Sequence, residues 1–145
     1  MSSNGMLTAV RSTVLGWLAL FAVMLLIERP LLRWTAPILG AGWLPTAQLA
    51  LECIGFVAVG WLIGRWGSLG VLIFAATLAL PNFGRVPAID FPWLFQLLLD
   101  CFQNARYLGS FFTSLATHVL LFASLFIGSH LSRALERAYS LNLRN

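Results

Sequence analysis

Charged residues are scarce in this sequence, and lysine does not occur at all. Only 10% of the 145 residues are charged and 59% are apolar, whereas soluble domains carry about 25% and roughly 45–50%. This composition, with a mean hydropathy of +0.85, excludes an ordinary soluble domain, a disordered chain and a fibrous chain. The lipid bilayer is therefore the expected solvent of the chain.

The nine basic residues are all arginines, and they outnumber the five acids to give a net charge of +4. They stand singly between apolar runs, whereas proteins that bind nucleic acid cluster their basic residues on one face. Single arginines between apolar runs are typical of the borders of membrane spans. We therefore expect lipid as a partner and no nucleic acid.

Residues that carry chemistry are also few. Cys53 and Cys101 lack CxxC spacing and are expected to be free thiols. The sequence has no carboxylates at hydrolase spacing, no nucleophile elbow, no phosphate-binding glycine loop and no zinc-ligand pattern. We expect no enzymatic activity, no metal site and no bound cofactor.

Four apolar stretches predict transmembrane helices within a single integral membrane domain, residues 1–145. A crossing helix needs about 20 mainly apolar residues. The first stretch is expected to be kept as an anchor, since no small-residue cleavage site follows it, and Pro30 is expected to end it. The third is short and is interrupted by Pro81. The predicted spans are residues 6–27, 45–63, 68–82 and 111–131.

Two further segments lie between the spans. Residues 31–43 combine proline, glycine and tryptophan, which favours an interfacial or shallow re-entrant stretch. Residues 91–104, with Asp90 as the expected N-cap, place polar residues at helical spacing opposite an apolar face. We predict an all-α polytopic membrane bundle of four transmembrane helices plus this interfacial amphipathic helix.

The arginines also indicate the orientation of the chain. Four spans put both termini on one side of the membrane, where five arginines are predicted, against four on the other side. The small excess favours cytoplasmic termini in a cytoplasmic (inner) membrane. The two sets are Arg11, Arg65, Arg133, Arg137 and Arg144, and Arg29, Arg33, Arg85 and Arg106.

Two ionisable residues lie inside predicted spans, where they are costly and mark functional sites. Glu52 and His118 each follow the start of their span by seven residues, so both should lie roughly 10 Å deep from the same side. One hypothesis is a pair that relays a proton or binds a cation. The other is an interhelical hydrogen bond worth about 0.6 kcal/mol. Polar neighbours expected at this depth are Gln48, Thr77, Ser114 and Thr117.

Histidine is also the common axial ligand of haem and chlorophyll in membrane bundles. His118 and His130 are twelve residues apart on one helix, hence roughly 18 Å apart, and cannot bind one iron from opposite sides. A tetrapyrrole held through His118 alone is therefore a third hypothesis. His130 is expected to reach the lipid headgroups.

Small residues recur at helical spacing, which predicts close helix packing. The packing is expected either within the hairpin of the second and third spans or with another subunit. The residues are Gly60, Gly64, Ser124 and Gly128.

The small size of the protein indicates more about its function than any sequence motif does. A 16.0 kDa bundle with short loops favours a non-catalytic subunit or partner-binding component of a larger membrane complex, with other subunits or its own copies as partners. The rival hypothesis is a small oligomeric transporter or ion- or proton-conducting protein that uses Glu52 and His118.

Overall fold

The computed structural model describes residues 3–79 and 91–142, and these residues form helices joined by turns. The prediction of an all-α protein is confirmed for this part of the chain. The predicted end of the third span at residues 80–82 and the N-cap position 90 lie outside it. In chain order the elements are α1 (Ser3–Ala22), a π-helical turn (Val23–Glu28), α2 (Arg29–Gly64), α3 (Ser68–Ala79), α4 (Phe91–Gln103), a 3-10 turn (Ala105–Tyr107) and α5 (Leu108–Asn142).

Three helical stretches are long and apolar enough to cross a membrane. The shortest has 23 residues, about 34 Å at 1.5 Å per residue, which exceeds a hydrocarbon core of roughly 30 Å. α3 has 12 residues, about 18 Å, and falls short of that length. The chain is therefore a membrane protein. The three stretches are Gly5–Ile38, Gly42–Gly64 and Ala105–Ser140.

The first helix does not end at Pro30, as the sequence predicts, but continues to Ile38. Proline removes a backbone donor and clashes with the preceding turn of an α-helix. Here the turn before Pro30 is π-helical, and the Arg29 N–H donates to the carbonyl of Met24 five residues earlier. This wider turn accommodates the proline without ending the helix. The first half of the segment predicted to be interfacial or re-entrant, residues 31–38, is therefore helical and continuous with the first membrane helix.

The break between the first and second membrane helices lies at Gly40 instead. Its φ of 70° and ψ of 166° fall in a region that glycine alone adopts without strain. The next helical stretch begins at Gly42, a few residues earlier than predicted. Pro45 is tolerated there because the first four N–H groups of a helix have no partner within it.

α2 is the central helix of the bundle. Within its stretch Gly42–Gly64, 39% of an apolar 18-residue window is buried, against 17% and 28% for the windows of the other two membrane helices, because both α1 and α5 pack on α2. Buried apolar side chains form a core between α1, α2, α3 and α5. Its members are Leu20, Phe56, Val59, Ile63, Val71, Phe74, Ala75, Leu78, Leu121 and Leu125.

Glycines set the distance between α2 and α5. A Cβ atom on Gly60 would overlap the backbone carbonyl of Leu125, and one on Gly64 would lie 2.8 Å from the Cα of Ser129. On α5, Gly128 faces the backbone of Val57 in the same way. These glycines therefore pack against each other's helices, not within the hairpin of α2 and α3. Close backbone approach of this kind is the usual packing mode of membrane helices.

α3 packs beside α1 and is joined to α2 by a tight turn. Gly67 has a φ of 107°, and its N–H donates to the carbonyl of Gly64, which closes the end of α2. Beyond the turn, Gly70 contacts Ser12, and Phe74 packs against Gly16. α3 thus packs on α1, the part of the first membrane helix that precedes the π-helical turn.

α4 packs on α5 through Leu94 and Leu97, which are buried. A second apolar stripe of Phe95, Leu99 and Phe102 stays exposed. α5 itself continues to Asn142, well past the predicted end of the fourth span at residue 131, and carries charged residues there.

Candidate functional site

The packing of α1 against α2 brings two acidic side chains together. The two helices are antiparallel, since Gly16 faces Ile63 whereas Val23, at the start of the π-helical turn that continues α1, faces Gly55. At the next step of this register, Glu28 and Glu52 line one cavity of about 10 Å³, about the space of one water molecule. Only 7% of Glu28 and 8% of Glu52 is exposed.

The packing of α2 against α5 places His118 at the same level. Gly60 meets Leu125 and Gly64 meets Ser129, so these helices run parallel with a constant offset. Eight residues earlier along both helices, the same offset puts Glu52 level with residue 117. His118 follows directly and is 5% exposed. Three buried ionisable side chains from three segments thus share one level of the bundle.

That level lies well inside the membrane-spanning part of α2. Glu52 stands ten residues after Gly42 and twelve before Gly64, close to the middle of this stretch. Ionisable groups at such a depth are expensive and functional by default.

Glu52 has one neighbour that orients its carboxylate. The Gln48 side-chain amide, one turn earlier on α2, donates from Nε2 to Oε1 of Glu52 at 3.0 Å. The helical spacing of four residues makes this contact local, so the sequence prediction that Gln48 belongs with Glu52 agrees with the geometry.

The protonation of the His118 ring follows from its contact with the backbone. Nδ1 lies 2.8 Å from the carbonyl oxygen of Ser114. A carbonyl oxygen only accepts, so Nδ1 carries a hydrogen and donates. In the neutral ring, Nε2 is then the nitrogen without a hydrogen.

The remaining residues predicted for the site serve other contacts. The Thr77 hydroxyl accepts from Nε1 of Trp17 at 3.0 Å and donates to the carbonyl of Phe74. Trp17 precedes Glu28 by eleven residues on the first helix, roughly 16 Å, so Thr77 lies away from the carboxylates. Thr117 and Ser124 donate to the backbone of their own helix, at the carbonyls of Thr113 and Leu120.

Comparison with known proteins adds nothing to this geometry. No protein-family model matches the chain, and no curated protein or solved structure shows a significant match to it. The site must therefore be interpreted from its residues alone.

Glu28 is the site residue that sequence reasoning missed. It stands just beyond the predicted first span of residues 6–27, two residues before Pro30. The usable signal was the pattern Leu20, Met24, Glu28, which repeats every four residues. In an α-helix such a row drifts around the axis, because a turn holds 3.6 residues. The wider π-helical turn takes up this drift and keeps Glu28 on the buried face.

The geometry also bears on metals and cofactors. Within residues 3–79 and 91–142, no three His, Cys, Asp or Glu side chains are grouped so as to hold a metal ion. The cavity beside the two glutamates is far too small for a tetrapyrrole, and His118 is not among its lining residues. The side chains at this level, two carboxyl groups and one imidazole, are of types that bind protons.

Proposed function

We propose that this chain is a small polytopic membrane protein that conducts protons through a relay at Glu52 and His118. The observation that carries the proposal is the shared level of these two buried side chains on the parallel helices α2 and α5. Transfer of a proton from the carboxylic acid of Glu52 to Nε2 of His118 gives a carboxylate and an imidazolium. The net charge of the pair stays the same, so the step creates no unbalanced charge in the bilayer.

The proposal includes a topology. α3, although short, completes a fourth crossing by local thinning of the bilayer, and α4 lies at the membrane interface with Phe95, Leu99 and Phe102 among the lipids. Both termini then lie on the cytoplasmic side of the inner membrane. On that side, Arg65 stacks over Trp61 at 4.3 Å and approaches Glu136 at 3.9 Å, an arrangement suited to the headgroup region.

Proton flux tests the proposed function directly. The purified protein is reconstituted into liposomes that contain a pH-sensitive dye, and a pH step is applied with valinomycin and potassium present to compensate charge. We expect Glu52→Gln and His118→Gln to lower the flux to the level of protein-free liposomes, because each removes one proton-exchanging group. Glu136→Gln, an exposed change at the end of α5, is the matched control and should keep the wild-type rate. Unchanged flux in Glu52→Gln would refute the relay.

A second candidate function is that of a non-catalytic subunit of a larger membrane complex. The observation that favours it is the exposed stripe on α4, where Phe95, Leu99 and Phe102 are 63%, 42% and 83% exposed. The small residues of α2 and α5, in contrast, are already used inside the chain and are not available to a partner.

Cysteine labelling separates a partner from lipid at this stripe. In a Cys101→Ser background, Phe102→Cys is treated with a maleimide in native membranes and in liposomes of the purified protein. A partner protects the thiol in native membranes alone, whereas lipid protects it equally in both. Tyr139→Cys, at a position 70% exposed, is the control and should react in both preparations. Equal labelling of Phe102→Cys in both would argue against the subunit function.

A further inference from the structure

Neither the packing of the helices nor the proposed relay explains why the acidic residue Glu28 is buried. Its side chain is 93% buried and lines the cavity that it shares with Glu52. Among the described residues, no side chain donates a hydrogen bond to its carboxylate. The carboxylate lines the cavity at membrane depth, where an acidic group is costly, so it marks the cavity as a site for a ligand.

The lining of the cavity restricts the kind of ligand that can bind there. Apart from the two glutamates it is lined by Leu20, Val23, Met24, Gly55 and Phe56, which offer no polar side chain. A metal cation of the alkali or alkaline-earth type requires about six oxygen ligands, more than two carboxylates supply. A proton needs only two oxygens, either directly or through a single water.

The charges around the cavity also favour a proton as the ligand. Two carboxylates that face one small apolar space repel each other, and one of them is neutral unless a positive charge lies between them. Arg29 follows Glu28 directly in the chain, but its side chain is exposed. Gln48 donates to Glu52 as a neutral amide, and His118 approaches this level from α5.

We infer that Glu28 and Glu52 together form one site that holds a single proton between their carboxyl oxygens. A carboxylic acid on one residue donates to the carboxylate of the other, so the pair carries one negative charge. The inference rests on the proposed proton conduction, for which the pair is the store from which His118 is supplied. It makes Glu28 part of the site, although Glu28 lies on a helix that the relay of Glu52 and His118 does not use.

Infrared spectroscopy of the reconstituted protein at neutral pH tests the inference without measuring flux. A protonated carboxyl group has a carbonyl stretch that an ionised carboxylate lacks. We expect the wild type to show this band with the intensity of one carboxyl per chain. In Glu28→Gln and Glu52→Gln, the remaining acid has lost its partner, so the whole band should vanish or move. Glu136→Gln should leave it unchanged.

Two results would overturn the inference. One is a wild-type band with the intensity of two protonated carboxyl groups, which each single variant reduces by half at an unchanged frequency. That result would mean that the two acids are protonated independently. The other is no band in the wild type, which means two ionised groups. Glu28→Asp and Glu52→Asp keep both carboxyls, and circular dichroism of all variants shows whether the helices are retained. If the band behaves as expected but Glu52→Gln keeps its flux, the site stands and the conduction proposal fails.

Discussion

Gly60→Ala is expected to disrupt the packing of α2 on α5 and to cost about 3 kcal/mol or more. The added Cβ would overlap the carbonyl of Leu125, with the carbonyl carbon and Cα of that residue at 2.9 and 3.1 Å. These are backbone atoms of a helix and cannot turn aside as the end of a side chain can. Gly128→Ala should act similarly, because its Cβ would meet the backbone of Val57 and Trp61.

Thermal unfolding in detergent, followed by circular dichroism and size-exclusion chromatography, measures this effect. Gly109→Ala is the matched control, since that glycine lies in α5 with nothing within 4 Å of the added atom. Alanine favours helix over glycine by about 1 kcal/mol, so the control should be as stable as the wild type or more stable. Equal melting temperatures for Gly60→Ala and Gly109→Ala would contradict the packing of α2 on α5 at this glycine.

Replacing both Glu28 and Glu52 with leucine is expected to stabilise the protein while it abolishes proton flux. Buried charged groups are often replaced by apolar residues of similar size with a gain of about 1–4 kcal/mol. The cavity is already lined mainly by apolar side chains. Buried acidic residues that lower the stability of the fold are retained for function and not for folding.

The double variant distinguishes a functional site from a structural one. Melting temperature and liposome flux are measured on the same preparation, with Glu136→Leu as a control for the loss of an acid at an exposed position. A lower melting temperature in Glu28→Leu/Glu52→Leu would assign the glutamates a structural role, that of an interhelical contact. Full flux in this variant would remove both glutamates from any conduction pathway.

The common depth of Glu52 and His118 could be predicted from the sequence. The full set of side chains at that depth could not. Counting seven residues from the starts of two spans puts Glu52 and His118 at one depth, and the parallel register of α2 and α5 also brings them level. Thr77 shows the limit of that argument. Depth does not specify which way a side chain faces, and Thr77 is bonded to Trp17 on another helix.

Composition and the length of the apolar runs are enough to predict a helical membrane protein, because both depend on the solvent and not on contacts. Which glycines meet which backbone, and which acids share a cavity, became visible only in the packed bundle. Glu28 is the clearest case: Pro30 predicts a helix end locally, yet a π-helical turn carries the helix on and directs Glu28 toward Glu52. Such a choice depends on packing between helices distant in sequence, which local preferences do not encode.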